Sequence, residues 1–449
     1  MNITNRRKFI QKTGAIAAAT FLGSLNAFAQ NGPRKRIAMV GTGVRGLGMW
    51  GTSVKAEYDD ILQFVGLCDI NPGRVAYARR IMELDCPVYT DFDKMLRESS
   101  PEILVVTTTD STHDEFIIKG LEKGIMVISE KPMTTDEKKV QAILDAERRT
   151  GNKVIVTFNM RFSAYVSKIW EILRSDEIGD IKSVNLNWYL DTDHGASYFR
   201  RWHGLRDIGG TLLVHKATHH FDTLNYWVDS EPEEVFAYGS LDYYGQKNSK
   251  ISHSHCRPCP FKSQCKFYWD ITVSSSAMGL YVDNEKYDGY LRDGCVFRKE
   301  IDIYDTMAVQ YKYASGVKVS YSLTAFSPYE GYRLAINGTK GRLDTWIQQS
   351  MPGGVKAYQE IKIINLFGNV KTIQVMPQAG GHGGSDPLLK DRLFRYPDAT
   401  DRLRQSAGSR DGAMSALIGI AARKSIDTGK IIRIEDLTEL KPLAKKGRD

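Results

Sequence analysis

Arg36-Ile37-Ala38-Met39-Val40-Gly41-Thr42-Gly43-Val44-Arg45-Gly46 is the stretch on which the fold turns. A short apolar run, of the kind that makes a strand buried on both faces, leads straight into spaced glycines. Gly41 permits a tight turn, Gly43 lets the backbone approach a pyrophosphate, and Gly46 allows a helix to pack closely on the strand. The free N–H groups of the helix start, with Thr42, Val44 and Arg45 between the glycines, then face a diphosphate. Such a loop alone is a weak signal. Here Asp69 closes the next apolar run, 23 residues after Gly46, where an acid can accept hydrogen bonds from the adenosine ribose. That favours NAD as cofactor; Arg74 nearby leaves NADP as the alternative.

Working outward, apolar runs at Ile37–Val40, Phe64–Cys68, Ile103–Thr107 and Met126–Ser129 alternate with amphipathic stretches such as Asp114–Lys123 and Thr135–Arg149. This rhythm predicts an α/β, doubly wound parallel sheet, a Rossmann domain over 34–158. From 159 to 449 the pattern changes. Lys182–Leu190, Glu234–Leu241, Met307–Tyr313, Lys318–Leu323 and Arg333–Asn337 read as strands in succession, with helices near 210–227 and 412–426. This predicts an α+β C-terminal domain with a large open, mostly antiparallel sheet, interrupted by an insertion at about 245–300.

The first 29 residues read as a targeting segment. Asn5-Arg6-Arg7-Lys8-Phe9 is a basic start, 15–28 is a mildly apolar, small-residue stretch, and Ala27-Phe28-Ala29 has the form of a cleavage site. A twin-arginine signal of this kind implies a periplasmic or otherwise exported protein. Its removal takes away Arg6, Arg7, Lys8 and Lys12 and no acid, lowering the formal charge from +8 to +4. A small, dispersed excess of that size argues against a nucleic-acid partner. No later run is long and apolar enough to span a membrane.

Further motifs follow in order: Thr107-Thr108-Thr109-Asp110-Ser111-Thr112-His113, Glu130-Lys131-Pro132, Asn159-Met160-Arg161-Phe162, Gly209-Gly210-Thr211 leading to His219 and Asp222, and Gly338-Thr339-Lys340-Gly341-Arg342-Leu343. Together with the glycine loop, this series resembles the Gfo/Idh/MocA oxidoreductases over nearly the whole mature chain. The resemblance implies that Thr108, His113 and Glu130 help hold the dinucleotide. It places Lys131 at the nicotinamide, and His219 as the acid/base or the group that orients the substrate. It also implies a homo-oligomer formed through the open sheet. One position departs from the family pattern: an Asp usually stands four residues before the histidine, and here His215 stands there. His215 and His219 share a helix face, which makes His215 a further catalytic or substrate-binding candidate and puts direct transfer of an Asp–His relay in doubt.

Aromatic and polar residues around Trp188–Trp202 suit a hydroxyl-rich ring. Tyr198, Arg200 and Trp202, with Arg161, His215 and the Gly-rich loop's His382 and Asp386, are the substrate-binding candidates. Cys256, Cys259, Cys265 and Cys295 could hold a structural zinc or form disulfides. An exported dehydrogenase lacks a soluble NAD pool, so a tightly bound, internally reset cofactor is expected. The expected activity is oxidation of a sugar or glycoside at C3 to a 3-keto product. Net glycoside hydrolysis by oxidation, elimination, hydration and reduction is one alternative, and a non-catalytic sugar-binding protein is another.

Overall fold

A computed structural model describes residues 33–447; the targeting segment expected over the first 29 residues lies outside them. Six parallel strands form the first sheet: β1 (Lys35–Val40), β2 (Leu62–Cys68), β3 (Val88–Tyr89), β4 (Ile103–Val106), β5 (Met126–Ser129) and β6 (Val154–Val156). Their order is β3-β2-β1-β4-β5-β6. Every side chain of β4 is buried, as a strand covered on both faces requires. The order reverses between β1 and β4, and the crevice at such a switch point is where α/β sheets bind ligands. Gly41, Asp69, Thr107 and Glu130 each follow a strand's C-terminal end and so gather along that crevice.

The second sheet has nine strands, including β7 (Ile181–Asp191), β8 (Pro232–Ser240), β9 (Thr306–Tyr313), β10 (Lys318–Ser327) and β11 (Glu330–Gly338). It continues through β12 (Gly341–Ser350), β13 (Gln359–Asn365) and β14 (Val370–Val375), and β15 (Ile432–Arg433) closes the far edge. β7 and β10 run parallel; the other pairings are antiparallel. Buried residues alternate with more exposed ones along β10, so one face meets the core and the other stays open. The helices Ala217–Val228 and Ser409–Thr428 pack in that core, with Phe221, Leu417 and Ile420 fully buried beside Val309 and Leu323.

The helix expected over 210–227 is split into Leu212–His215 and Ala217–Val228. The cause is local. The His215 carbonyl accepts a hydrogen bond from Lys131 Nζ at 3.1 Å, while the His219 amide turns to the Lys216 carbonyl. A catalytic candidate thus replaces one rung of the helix ladder.

Residues of the second half complete the first domain. The Val156 amide donates to the Ala407 carbonyl at 3.0 Å, and Ile155 bridges Gly408. Tyr58 donates to Asp391 at 2.7 Å and Lys390 to Glu57 at 2.6 Å. The inserted segment also reaches back: Arg74 pairs with Asp288, and Asn71 donates to the Asn284 carbonyl at 2.9 Å. No described helix is long and apolar enough to cross a membrane.

Candidate active site

The glycine loop is shaped by contacts that admit no side chain. Gly41 has φ +91°, and a Cβ there would lie 2.6 Å from the Thr107 backbone. A Cβ on Gly46 would lie 2.2 Å from the Gly41 carbonyl oxygen. The helical turns Gly46–Thr52 follow directly. Asp69 accepts from the Thr42 amide at 2.8 Å and its hydroxyl at 2.9 Å, which fixes the carboxylate beside the loop. Arg74, the cation that could have favoured a 2′-phosphate, pairs with both Asp69 and Asp288. Two carboxylates at the ribose end favour the unphosphorylated dinucleotide. The Val44 amide donates to the Tyr281 hydroxyl at 3.0 Å, so one of the loop's anion-binding amides holds an oxygen acceptor. Donors, acid and a glycine cradle fit a dinucleotide.

Glu130 braces this loop. It accepts from Arg45 Nε at 2.7 Å and Trp50 Nε1 at 2.8 Å. Burial alone would raise its pKa, but Arg45, Trp50 and Lys131 hold it below the usual carboxylate range. His113 lies between two loops, its Nδ1 2.8 Å from the Pro132 carbonyl and its Nε2 3.2 Å from the Thr108 carbonyl. Glu130 Oε1 and both ring nitrogens of His113 are thus engaged with protein. They position the loops that line the crevice.

Lys131 is the next residue, two past the end of β5, with its peptide bond to Pro132 in the cis form. Burial pushes its ammonium down to about 8, against the opposing pull of Asp110 and Glu130. His215 faces it, and His215 Nδ1 lies 2.5 Å from Asp110 Oδ2. Burial raises the Asp110 carboxyl and lowers the His215 imidazole. Burial therefore drives each of the three groups toward its neutral form. Asp110 is the acid that the helix lacks: it comes from the loop after β4, so the carboxylate–imidazole pair forms across the two domains.

Around His215 stand Tyr198, Trp202 and His203, with ring centroids 5.3, 5.8 and 4.2 Å away. His203 stacks on Trp202 at 3.6 Å. His219 lies one turn farther on; its Nδ1 is buried without a partner, and burial lowers its imidazole well below the ordinary value. His382 pairs with Asp386 at 2.7 Å, and Asp386 also accepts from Asn159 at 2.6 Å and lies 3.7 Å from Arg45. The Gly-rich loop thus reaches the cofactor side of the site.

Other expected residues stand elsewhere. Arg161 is a buried hub, donating to Asp222 at 2.8 and 2.6 Å and pairing with Asp411 at 2.9 Å. With its charge spent on two acids it has nothing left for a sugar. Arg200 points into the insertion, donating to Cys256 Sγ at 3.1 Å and to the carbonyls of Gly294 and Phe267. The four cysteines make neither expected staple: all are free thiols, and among the described residues no group of three or more metal-ligating side chains assembles. Arg200 and Arg257 do that work instead, the latter pairing with Glu285 and Asp293. Zinc is therefore set aside. Asp110, His203 and Tyr281 were not singled out from sequence. Helix phasing could have separated Arg201 from Arg200, because Tyr198 and Arg201 are three apart and share a face.

A Rossmann crevice with a buried Lys–His–Asp cluster at its mouth, backed by an open, mostly antiparallel sheet, defines a dinucleotide-dependent oxidoreductase of two-domain type. The chain belongs to the Gfo/Idh/MocA oxidoreductase family: residues 35–158 match its NAD-binding Rossmann fold and residues 171–434 its C-terminal alpha/beta domain. It is 38% identical over 424 residues to the putative oxidoreductase YteT of Bacillus subtilis, covering 90% of this chain and 99% of that one. It is 24% identical to the myo-inositol 2-dehydrogenase of Thermotoga maritima over 203 residues, 44% of this chain and 58% of the relative. Levoglucosan dehydrogenase, solved with NADH and levoglucosan, shares the fold with TM-score 0.64 at 16% identity, over 90% of this chain and all of the other.

Proposed function

We propose that this protein oxidises a ring hydroxyl of a sugar or glycoside with a tightly held NAD, at C3 of a glycoside, outside the cytoplasm. The observation that carries the reading is the Lys131–His215–Asp110 cluster beside the glycine loop. A bound nicotinamide supplies the hydride acceptor. Lys131, neutral above about pH 8, takes the hydroxyl proton through Nζ. His215, held through Nδ1 by Asp110, orients that amine through its carbonyl. His219 and the Tyr198–Trp202–His203 wall bound the sugar. The twin-arginine-like start supports export, and a protein exported with its cofactor must reset it in place. The open face of the second sheet, where Trp346 is 40% exposed, supports assembly as a homo-oligomer.

The test is an absorbance spectrum of the protein purified from its native compartment, repeated after adding a panel of glycosides, with NMR of the products. An NADH-like signal with a 3-keto product supports the reading. Release of free sugar with no keto product moves it to elimination-type hydrolysis. A protein that yields no dinucleotide on denaturation, and no spectral response to any sugar, overturns it.

A further inference from the structure

The arginines at the cofactor mouth are compensated: Arg45 by Glu130 and Asp386, Arg74 by Asp69 and Asp288. Two others near the site are not. Among the described residues neither Arg201 nor Arg292 has a carboxylate within ion-pair distance; Arg201 bonds only through Nε, to the Ser197 carbonyl at 2.7 Å. Both are part-buried. Arg201 lies 5.5 Å over the Tyr198 ring, and Arg292 4.2 Å over the Tyr281 ring. The two guanidiniums are near enough to repel, so that burial and then Arg292 weaken the hold of Arg201 on its charge. The Asp110 carboxyl is near enough to be felt by Arg201 but not to pair with it, and part-buried like charges without a direct ion pair are costly.

A second, independent feature marks the same spot. Tyr290, whose ring is 5.9 Å from that of Tyr281, has a buried hydroxyl within reach of the Trp202 backbone amide. His203, 5.5 Å from Tyr198, has an unpartnered buried Nδ1. Buried polar atoms of this kind are rare unless something binds there. Two forked donors, a phenol and an imidazole lie close enough together to interact, and that donor set matches a planar oxyanion.

We propose that Arg201 and Arg292 form a carboxylate subsite, so that the sugar taken is an acidic one, a uronic acid or its glycoside. The proposal rests on the sugar-oxidoreductase reading and narrows its substrate class. A cofactor diphosphate offers the same charge, but the glycine-loop amides other than that of Val44, which Tyr281 holds, are the donors placed for it. Arg201 instead stands on Tyr198, whose ring faces His215 and His203 on the substrate side.

The test is calorimetric titration of the dinucleotide-loaded protein with methyl galacturonoside and methyl glucuronoside, against methyl galactoside and methyl glucoside. The acidic sugars should bind about 10–100-fold more tightly, the value of one or two charge-assisted hydrogen bonds. Arg292→Met should bring that ratio toward parity, Arg292→Lys should restore part of it, and Arg201→Met should act in the same direction. Dinucleotide content, measured on the same samples, should be unchanged. Equal binding of acidic and neutral sugars overturns the subsite alone. Loss of dinucleotide in the arginine variants, with the acidic preference intact in the molecules still loaded, reassigns the pair to the diphosphate. Failure of every sugar, charged or neutral, to bind overturns the subsite and the sugar reading together.

Discussion

Lys131 carries the sharpest expectation at the residue scale. Removing its amine in Lys131→Met should lower kcat by about 10²–10⁴-fold, the usual worth of a positioned acid–base group. Dinucleotide binding should survive. Because the neutral amine is the active form, kcat/KM for oxidation should climb with pH and level off above about 8; a flat profile would assign the proton to another group. Arg161 tests the opposite assignment. Arg161→Met leaves the buried Asp222 without its cation and Asp411 with Lys446 alone, which should cost about 3–5 kcal/mol of stability and lower Tm without a specific change in sugar preference. Lys131 and the histidine pair were legible because a tripeptide and a helical spacing marked them. Asp110 was quoted in its motif but had no visible partner, since it meets His215 only after two separate domains fold. Arg200 and Arg201 are adjacent in sequence and diverge in space, and composition alone does not distinguish them.

At the scale of elements, the buried strands of the first sheet were the clearest signal. Their runs are apolar throughout, as with Ile103-Leu104-Val105-Val106, so no register had to be guessed. The outer strands β13 and β14 were missed for the complementary reason. Polar residues interrupt their short Ile and Val alternation, and β14 is mostly exposed, so their own pattern is a weaker signal than that of strands buried on both faces. The insertion misled through its cysteines, because spacing reports which ligands are available and not whether they meet. The glycine loop gives the element-level test. Gly46→Ala places a Cβ 2.2 Å from the Gly41 carbonyl. The variant should lose its bound dinucleotide, read directly from the absorbance of denatured samples, while circular dichroism stays close to wild type.

For the whole molecule, the nine-stranded sheet leaves one broad face without a helical layer. Arg333 lies 4.2 Å over the Trp346 ring on that face. Light scattering should find an oligomer in solution, and Trp346→Glu should shift it toward monomer with the dinucleotide retained. A monomeric wild-type protein would remove assembly through this face. The two-domain division was readable from the change of rhythm near residue 158. The return of residues 385–409 to the first domain was not, because such contacts are set by packing between distant segments.

That return has a consequence in time. A ribosome releases the chain from its N-terminus, so β6 emerges when more than half of the chain, including its partner Ala407, is still unmade. At usual elongation rates the interval is on the order of tens of seconds. Throughout it, the last strand of the nucleotide-binding sheet keeps a bare edge that invites other chains. Nascent chains ending before residue 385 should therefore be cut readily by protease and should lean on chaperones, and resistance should arrive only with the final helix. Completion of the earliest-made domain by the latest-made residues then acts as a proofreading step: only a finished chain closes the edge of its nucleotide-binding sheet.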